Sequence, residues 1–210
     1  MAQDGLPGLP KPGTLRILGI DPGTNVMGYA LLDVDGNHAQ VVILGSVQMA
    51  RVSDHYARLK RIFERINVII DEFKPHELAI EAPFCGKNVQ TMLKLGRAQG
   101  VCMAAALHHG MPVTEYPPTS VKQSITGSGG ASKEQVADML RRMLHFADIP
   151  KYLDATDALA IAYSHFLALQ LKSKLGGPDG GHAVKIPKSG GAKTSWGDFL
   201  KANPDRVHGK

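Results

Sequence analysis

The hydrophobic period of the chain changes partway along, and that change limits the fold to an α/β arrangement. Up to Val47 the apolar residues lie in three short runs, Leu15–Asp21 (LRILGID), Val26–Asp33 (VMGYALLD) and Ala39–Val47 (AQVVILGSV). Runs of this length, bounded by turn residues, read as strands. Pro22-Gly23 separates the first two, and Asp35-Gly36 between the second and third is a hairpin signal. From Tyr56 onward the spacing becomes three and four. Tyr56, Leu59, Ile62, Phe63, Ile66, Ile69, Ile70 and Phe73 form one helical stripe. Strand-like segments return at Leu78–Glu81 and Pro112–Tyr116. Between and after them lie three helical patterns. The first is Asn88–His109, with Met92, Leu95, Ala98, Met103 and Leu107. The second is opened by a Ser132–Gln135 capping box and carries Val136, Met139, Leu140 and Met143. The last runs from Asp154 to about Leu171. The predicted order, βββαβαβαα, describes a meander feeding a sheet completed by parallel crossovers.

Charge divides the chain. Its 210 residues carry 24 Lys+Arg and 19 Asp+Glu, a net +5. From Lys172 onward there are eight bases and three acids, so residues 1–171 are neutral by formal count. The tail is rich in Gly and Pro and lacks an apolar period, so it cannot bury enough surface to offset its ordering entropy. The expected organisation is a flexible extension over 1–14, a folded domain over 15–171 and a basic, disordered tail over 172–210. The tail holds Trp196 beside Phe199 and Leu200, which reads as a mildly sticky segment or a short docking motif. No apolar run approaches the roughly 18 residues of a membrane span, and Met1–Thr14 has no signal-like core. Cys85 and Cys102 form no CxxC, so neither a disulfide scaffold nor a cysteine zinc site is expected, and the expected compartment is the reducing cytoplasm.

Acids stand at element ends. Asp21 closes the first strand and Glu81 the fourth. If these strands are parallel neighbours, both emerge at one sheet edge, where sites form in open α/β sheets. Asp154 and Asp157 project from one face at the start of a helix. Four converging carboxylates repel one another unless a cation is present, and oxygen donors suit a hard ion such as Mg²⁺ or Mn²⁺. Local roles account for the same residues: Asp21 as a turn former, Glu81 as a solvated strand end, Asp154 as an N-cap and Asp157 as an N3 acid facing the helix dipole.

Four segments decide between these readings: RILGIDPGTNVMGYALLD, ELAIEAPFCGKNVQTMLKLGRAQG, VKQSITGSGGASKEQV and DATDALAIAYSH. In this order, from about Leu15 to Leu171, they resemble the RuvC family of Holliday junction resolvases. The resemblance implies a ribonuclease H-like fold, a mixed five-stranded sheet flanked by helices. It implies a homodimer that makes paired symmetric nicks in four-way DNA junctions, leaving 5′-phosphate and 3′-hydroxyl, alongside the RuvA and RuvB branch-migration proteins. It places the metal-binding acids on Asp21, Glu81, Asp154 and Asp157, for Mg²⁺ or Mn²⁺, two ions per active site. One ion is expected to activate a water and the other to stabilise the departing 3′ oxygen. Some family members carry histidine at the position of Asp154. Lys122 and Lys133 match lysines near the scissile phosphate, and Lys87 in GKN also matches the pattern. Phe84 falls on the family's aromatic that wedges against bases, although a staple against the following helix explains a Phe there too.

Gly127, Gly129 and Gly130 precede the capped helix, where glycine permits a tight loop or close approach to phosphates. No Gly-Lys-Ser/Thr follows them, which excludes a P-loop. The nine histidines show no metal spacing. His108-His109 suits the negative end of a helix, and His165, off the face of Asp157, receives no role. An actin-like ATPase shares the D-x-G-T pattern but needs a second D-x-G motif and a longer chain. The same fold could also serve a non-catalytic junction-binding module or a nuclease for RNA–DNA hybrids. Metal-dependent cleavage separates a resolvase from the first, and substrate separates it from the second.

Overall fold

A computed structural model describes residues 8–83, 88–146 and 153–175. β1 (Leu15–Asp21), β2 (Val26–Asp35) and β3 (His38–Gln48) form the meander. There follow α1 (His55–Phe73), β4 (Glu77–Glu81), α2 (Val89–His108), β5 (Val113–Tyr116), α3 (Pro118–Thr126), α4 (Lys133–Leu144) and α5 (Leu153–Leu175). The sheet order is β3-β2-β1-β4-β5. β1 is antiparallel to β2 and β2 to β3, whereas β1, β4 and β5 run parallel. The expected mixed five-stranded sheet is therefore present.

Local chemistry explains most boundaries. Asp35 pairs with His38, so the hairpin loop is Gly36-Asn37, one residue later than expected, with Gly36 at φ +57°. Asp54 caps α1 by accepting from the Ala57 amide, and Lys74 ends it in the left-handed region. Ser132 and Gln135 form the predicted capping box on α4. α3 is an addition to the expected order. Pro117-Pro118 reads as a break, yet Pro118 stands in the first turn, where a missing N–H costs nothing. Only Val121 and Ile125 of α3 are buried, too few to signal a helix by period.

Two cores flank the sheet. α1 and α2 cover one face, burying Ile62, Ile66, Ile69, Phe73, Ala98 and Cys102 against Leu18, Ile20, Leu78 and Ile80. Tyr56 and Phe63 of the expected stripe are exposed, Phe63 lying one helical step beyond Ile62. On α2 the burial falls on Ala98, Gln99, Cys102, Ala105 and Ala106. α3, α4 and α5 cover the other face. On α4 the stripe is Val136, Ala137 and Leu140, with Met139 and Met143 at its exposed margin. α5 buries every residue from Ala158 to Phe166, on all sides of the helix, which explains its lack of a polar face there. It continues to Leu175, four residues past Leu171.

Two buried polar links tie the layers together. Arg16 of β1 grips Asp33 of β2 through Nε and Nη2 at 2.6 and 2.7 Å, and its Nη1 donates to the Phe73 and Gly8 carbonyls. His165 of α5 joins the Tyr116 hydroxyl through Nδ1 and Glu77 through Nε2, both at 2.7 Å. His165 thus has a structural role that its sequence position did not reveal. The His165 hydrogen bond is the main cause holding the Glu77 carboxyl below its ordinary value.

Candidate active site

The topology brings the strand-end acids to one edge. β1 and β4 are parallel, and their pairing runs from Ile17–Glu77 to Ile20–Ile80. It stops one residue short of both Asp21 and Glu81, so the two acids leave the ladder side by side. Ile17 and Ala79 belong to the α5 side of the sheet. By strand alternation Asp21 and Glu81 face that side too.

Two glycines set the height of α5 above the sheet. A Cβ on Gly19 would stand 2.2 Å from the Ala158 carbonyl oxygen, and one on Gly28 only 1.9 Å from that of Asp154. Gly28 is the antiparallel partner of Asp21. The helix backbone therefore rests on the strand backbone beside Asp21, at a distance no other residue allows. As a result, carboxylate oxygens of Asp21, Asp154 and Asp157 lie within 4.8 Å of one another. Glu81 stands outside that three-oxygen group but acts on Asp21 through its charge. Neither glycine was singled out in the sequence, although a glycine inside an apolar strand is itself a signal of close backbone approach.

The electrostatics follow from this crowding. Burial, and then the charges of Glu81 and Asp157, push the Asp21 carboxyl up to about 8. Burial also raises Glu81, reinforced by Asp157 and opposed by Lys133 and Lys122. Asp157 is raised by burial against the pull of Lys133. Lys133, the first residue of α4, donates from Nζ to Asp157 Oδ2. Burial pulls this ammonium down, but Asp157, Asp21 and Asp154 outweigh it and hold it above its ordinary value. Lys122 on α3 is half-buried and contributes positive potential at Glu81 and Asp157. Gly127 caps α3 at φ +78°, and a Cβ on Gly129 would stand 3.3 Å from the Thr119 carbonyl oxygen. Of the predicted site residues, Asp21, Glu81, Asp154, Asp157, Lys122 and Lys133 thus share one edge, whereas Phe84 and Lys87 lie outside the described residues.

A donor set made only of carboxylate oxygens, destabilised as anions, fits a hard divalent cation. Cations held this way serve phosphoryl chemistry. A profile of the crossover junction endodeoxyribonuclease RuvC family matches residues 17–165.

The chain belongs to the RuvC family.

The crossover junction endodeoxyribonucleases RuvC of Bacteroides fragilis and Porphyromonas gingivalis are each 52% identical to it. They align with 91% and 94% of this chain and with 95% and 99% of their own lengths. Thermus thermophilus RuvC, solved in complex with a Holliday junction substrate, is 32% identical with a TM-score of 0.70, covering 76% of this chain and 97% of that one. The yeast mitochondrial Holliday junction resolvase Ydc2, 16% identical with a TM-score of 0.58, shares the fold and covers 79% of this chain and 83% of its own. The sheet and its helices are ribonuclease H-like, as the sequence resemblance implied.

Proposed function

We propose that this chain resolves Holliday junctions by metal-dependent phosphodiester hydrolysis at the edge formed by Asp21, Glu81, Asp154 and Asp157. The observation that carries the reading is the convergence of Asp21, Asp154 and Asp157 oxygens within 4.8 Å. They come from a strand end and a helix start in a chain of the RuvC family. The four acids would hold Mg²⁺ or Mn²⁺, two ions per site. When bound, such ions acidify a water and polarise the scissile phosphate. The carboxylates orient the cleft and concentrate positive charge there. Lys133, already paired with Asp157, would donate to a phosphate oxygen, and Lys122 would add positive potential from α3. Phe84 contacts bases at the junction centre, and Lys87 contacts the backbone. The product ends are 5′-phosphate and 3′-hydroxyl.

Paired cuts call for two sites related by a two-fold axis. The reading therefore includes a homodimer, and α2 offers a suitable face. Val89 and Leu93 are 64% and 51% exposed. Gly96 and Gly100, four residues apart on α2, have nothing within 4 Å of where a Cβ would stand. A second copy would approach closely there, and Leu93→Asp should shift the sedimentation of the protein toward monomer. RuvA and RuvB are the expected partners and the cytoplasm the expected compartment. Among the described residues no helix is long and apolar enough to cross a membrane.

The decisive test is cleavage of a synthetic four-way junction in Mg²⁺ or Mn²⁺, with cut sites mapped. Asp21→Asn and Glu81→Gln should abolish it, and near-wild-type cleavage by both would sink the mechanism. Phe84→Ala should impair cleavage more than folding. Deleting residues 175–210 should lower junction affinity in low salt if the basic tail contacts phosphates.

A further inference from the structure

Gln99 lies on α2, on the face of the sheet opposite the acids, and is 6% exposed. Its Nε2 donates to the backbone carbonyl of Glu81 at 3.1 Å and to Glu115 Oε2 at 2.8 Å. Both acceptors are oxygens, so only the NH₂ side of the amide fits, and both of its hydrogens are used. The acceptors mark the ends of two adjacent strands. Glu81 is the last residue of β4, and Glu115 the next-to-last of β5. On the β1 side, β4 has no ladder partner after Ile80. The β5 side holds Glu81 by its register with Tyr116, whose carbonyl accepts from the Ala82 amide at 2.9 Å. The peptide that carries the Glu81 side chain is therefore free of β1 and is fixed in part by a side chain from behind the sheet.

We propose that Gln99 is a positioning residue for Glu81, clamping the end of β4 to β5 and α2 so that the Glu81 carboxylate meets the Asp21–Asp157 cluster. The inference rests on the reading of Glu81 as a metal ligand. A residue that orients a ligand from outside the coordination shell typically sets metal affinity by about 10- to 100-fold. In this arrangement the amide supplies donors without adding a charge beside a carboxylate. The Glu115 charge itself is dispensable, because a glutamine at 115 still presents an accepting oxygen.

The experiment is Mn²⁺ binding to the full-length protein without DNA, read by the paramagnetic resonance of free Mn²⁺, together with the Mn²⁺ dependence of junction cleavage. All measurements are made well below each variant's melting temperature. Gln99→Met keeps the length of the side chain and loses both donors. It should weaken Mn²⁺ binding about 10-fold and raise the Mn²⁺ needed for half-maximal cleavage by a similar factor. Cleavage at saturating Mn²⁺ should recover to within about threefold, since the ligands themselves are intact. Gln99→Glu, which removes the donors and faces Glu115 with a like charge, should be at least as weak. Gln99→Arg, which retains donors, and Glu115→Gln should bind Mn²⁺ nearly as wild type does. Wild-type Mn²⁺ affinity in either Gln99→Met or Gln99→Glu overturns the proposal, as does a loss of melting temperature with no change in affinity. Asp21→Asn separates the two levels. If it binds Mn²⁺ normally, the metal site itself is misassigned. If it loses binding while Gln99→Met keeps it, only the role of Gln99 fails.

Discussion

Asp21→Asn should stabilise the metal-free protein, by an amount that grows with pH. Burial and the neighbouring Glu81 and Asp157 hold the folded carboxyl at about 8, whereas the unfolded chain releases its proton near 3.8. Between these values the folded state binds one more proton than the unfolded state. Stability is therefore fully present below about pH 4 and falls as pH rises to about 8, by about 1.4 kcal/mol per pH unit. The ceiling is about 6 kcal/mol. Asp21 shares its proton with the neighbouring carboxyls of Glu81 and Asp157, which spreads the loss, so about 2–4 kcal/mol is the expected loss at Asp21 in the wild type. Asparagine has no proton to lose and escapes it. In chelator, urea unfolding followed by circular dichroism should find Asp21→Asn about 2–4 kcal/mol more stable than wild type near pH 8, and within about 1 kcal/mol near pH 5. Added Mn²⁺ should offset most of that difference. At a hundredfold excess over its Kd the wild type gains about 2.7 kcal/mol, while the variant, lacking a ligand, gains little. Equal stabilities near pH 8 would refute the argument, and so would a difference that ignores pH, since packing and not charge would then be responsible.

Three further perturbations test the scaffold around the acids. Gly28→Ala puts a methyl 1.9 Å from the Asp154 carbonyl, so α5 must lift; stability should fall by about 2–4 kcal/mol and junction cleavage by at least about 100-fold, measured by melting and gel assay. Lys133→Met removes the cation paired with Asp157, and cleavage at saturating Mn²⁺ should drop by about 100-fold while junction affinity changes little. His165→Ala breaks the Tyr116–His165–Glu77 link and should cost about 2–3 kcal/mol, yet cleavage below the melting temperature should stay within a few-fold of wild type, because the side chains of the link make no hydrogen bond to Asp21, Glu81, Asp154 or Asp157.

What is legible in the sequence is local. The Ser132–Gln135 box, the hairpin near Gly36 and the strand-ending acids each declare themselves within a few residues, because capping, turn chemistry and apolar runs are short-range. α3 is hidden for the same reason. Its buried residues are only Val121 and Ile125, and its opening Pro118 carries opposite meanings inside a helix and at its start. Period alone assigns Tyr56 and Phe63 to the core, but a stripe records only the angle around a helix, whereas burial depends on what stands opposite.

The site divides along the same line. The chemistry proposed for it rests on residue types that stand out once grouped: four carboxylates and two lysines. Its geometry is carried by contacts across the chain. His165 and Glu77 are 88 residues apart, and Gln99 reaches a carbonyl 18 residues earlier. Gly19 and Gly28 have no chemistry of their own, yet they let α5 descend until Asp154 and Asp157 share a space with Asp21. The burial and crowding they create disfavour the carboxylate anions, as the raised Asp21 carboxyl reflects. Something must hold the acids in place against that repulsion. α5 does so by burying every residue from Ala158 to Phe166, directly behind the two acids it presents. A helix with one polar face could tilt outward to relieve the charges at small cost. One enclosed by the sheet, α3 and α4 cannot, so the repulsion is retained in the folded protein, where a bound cation would relieve it.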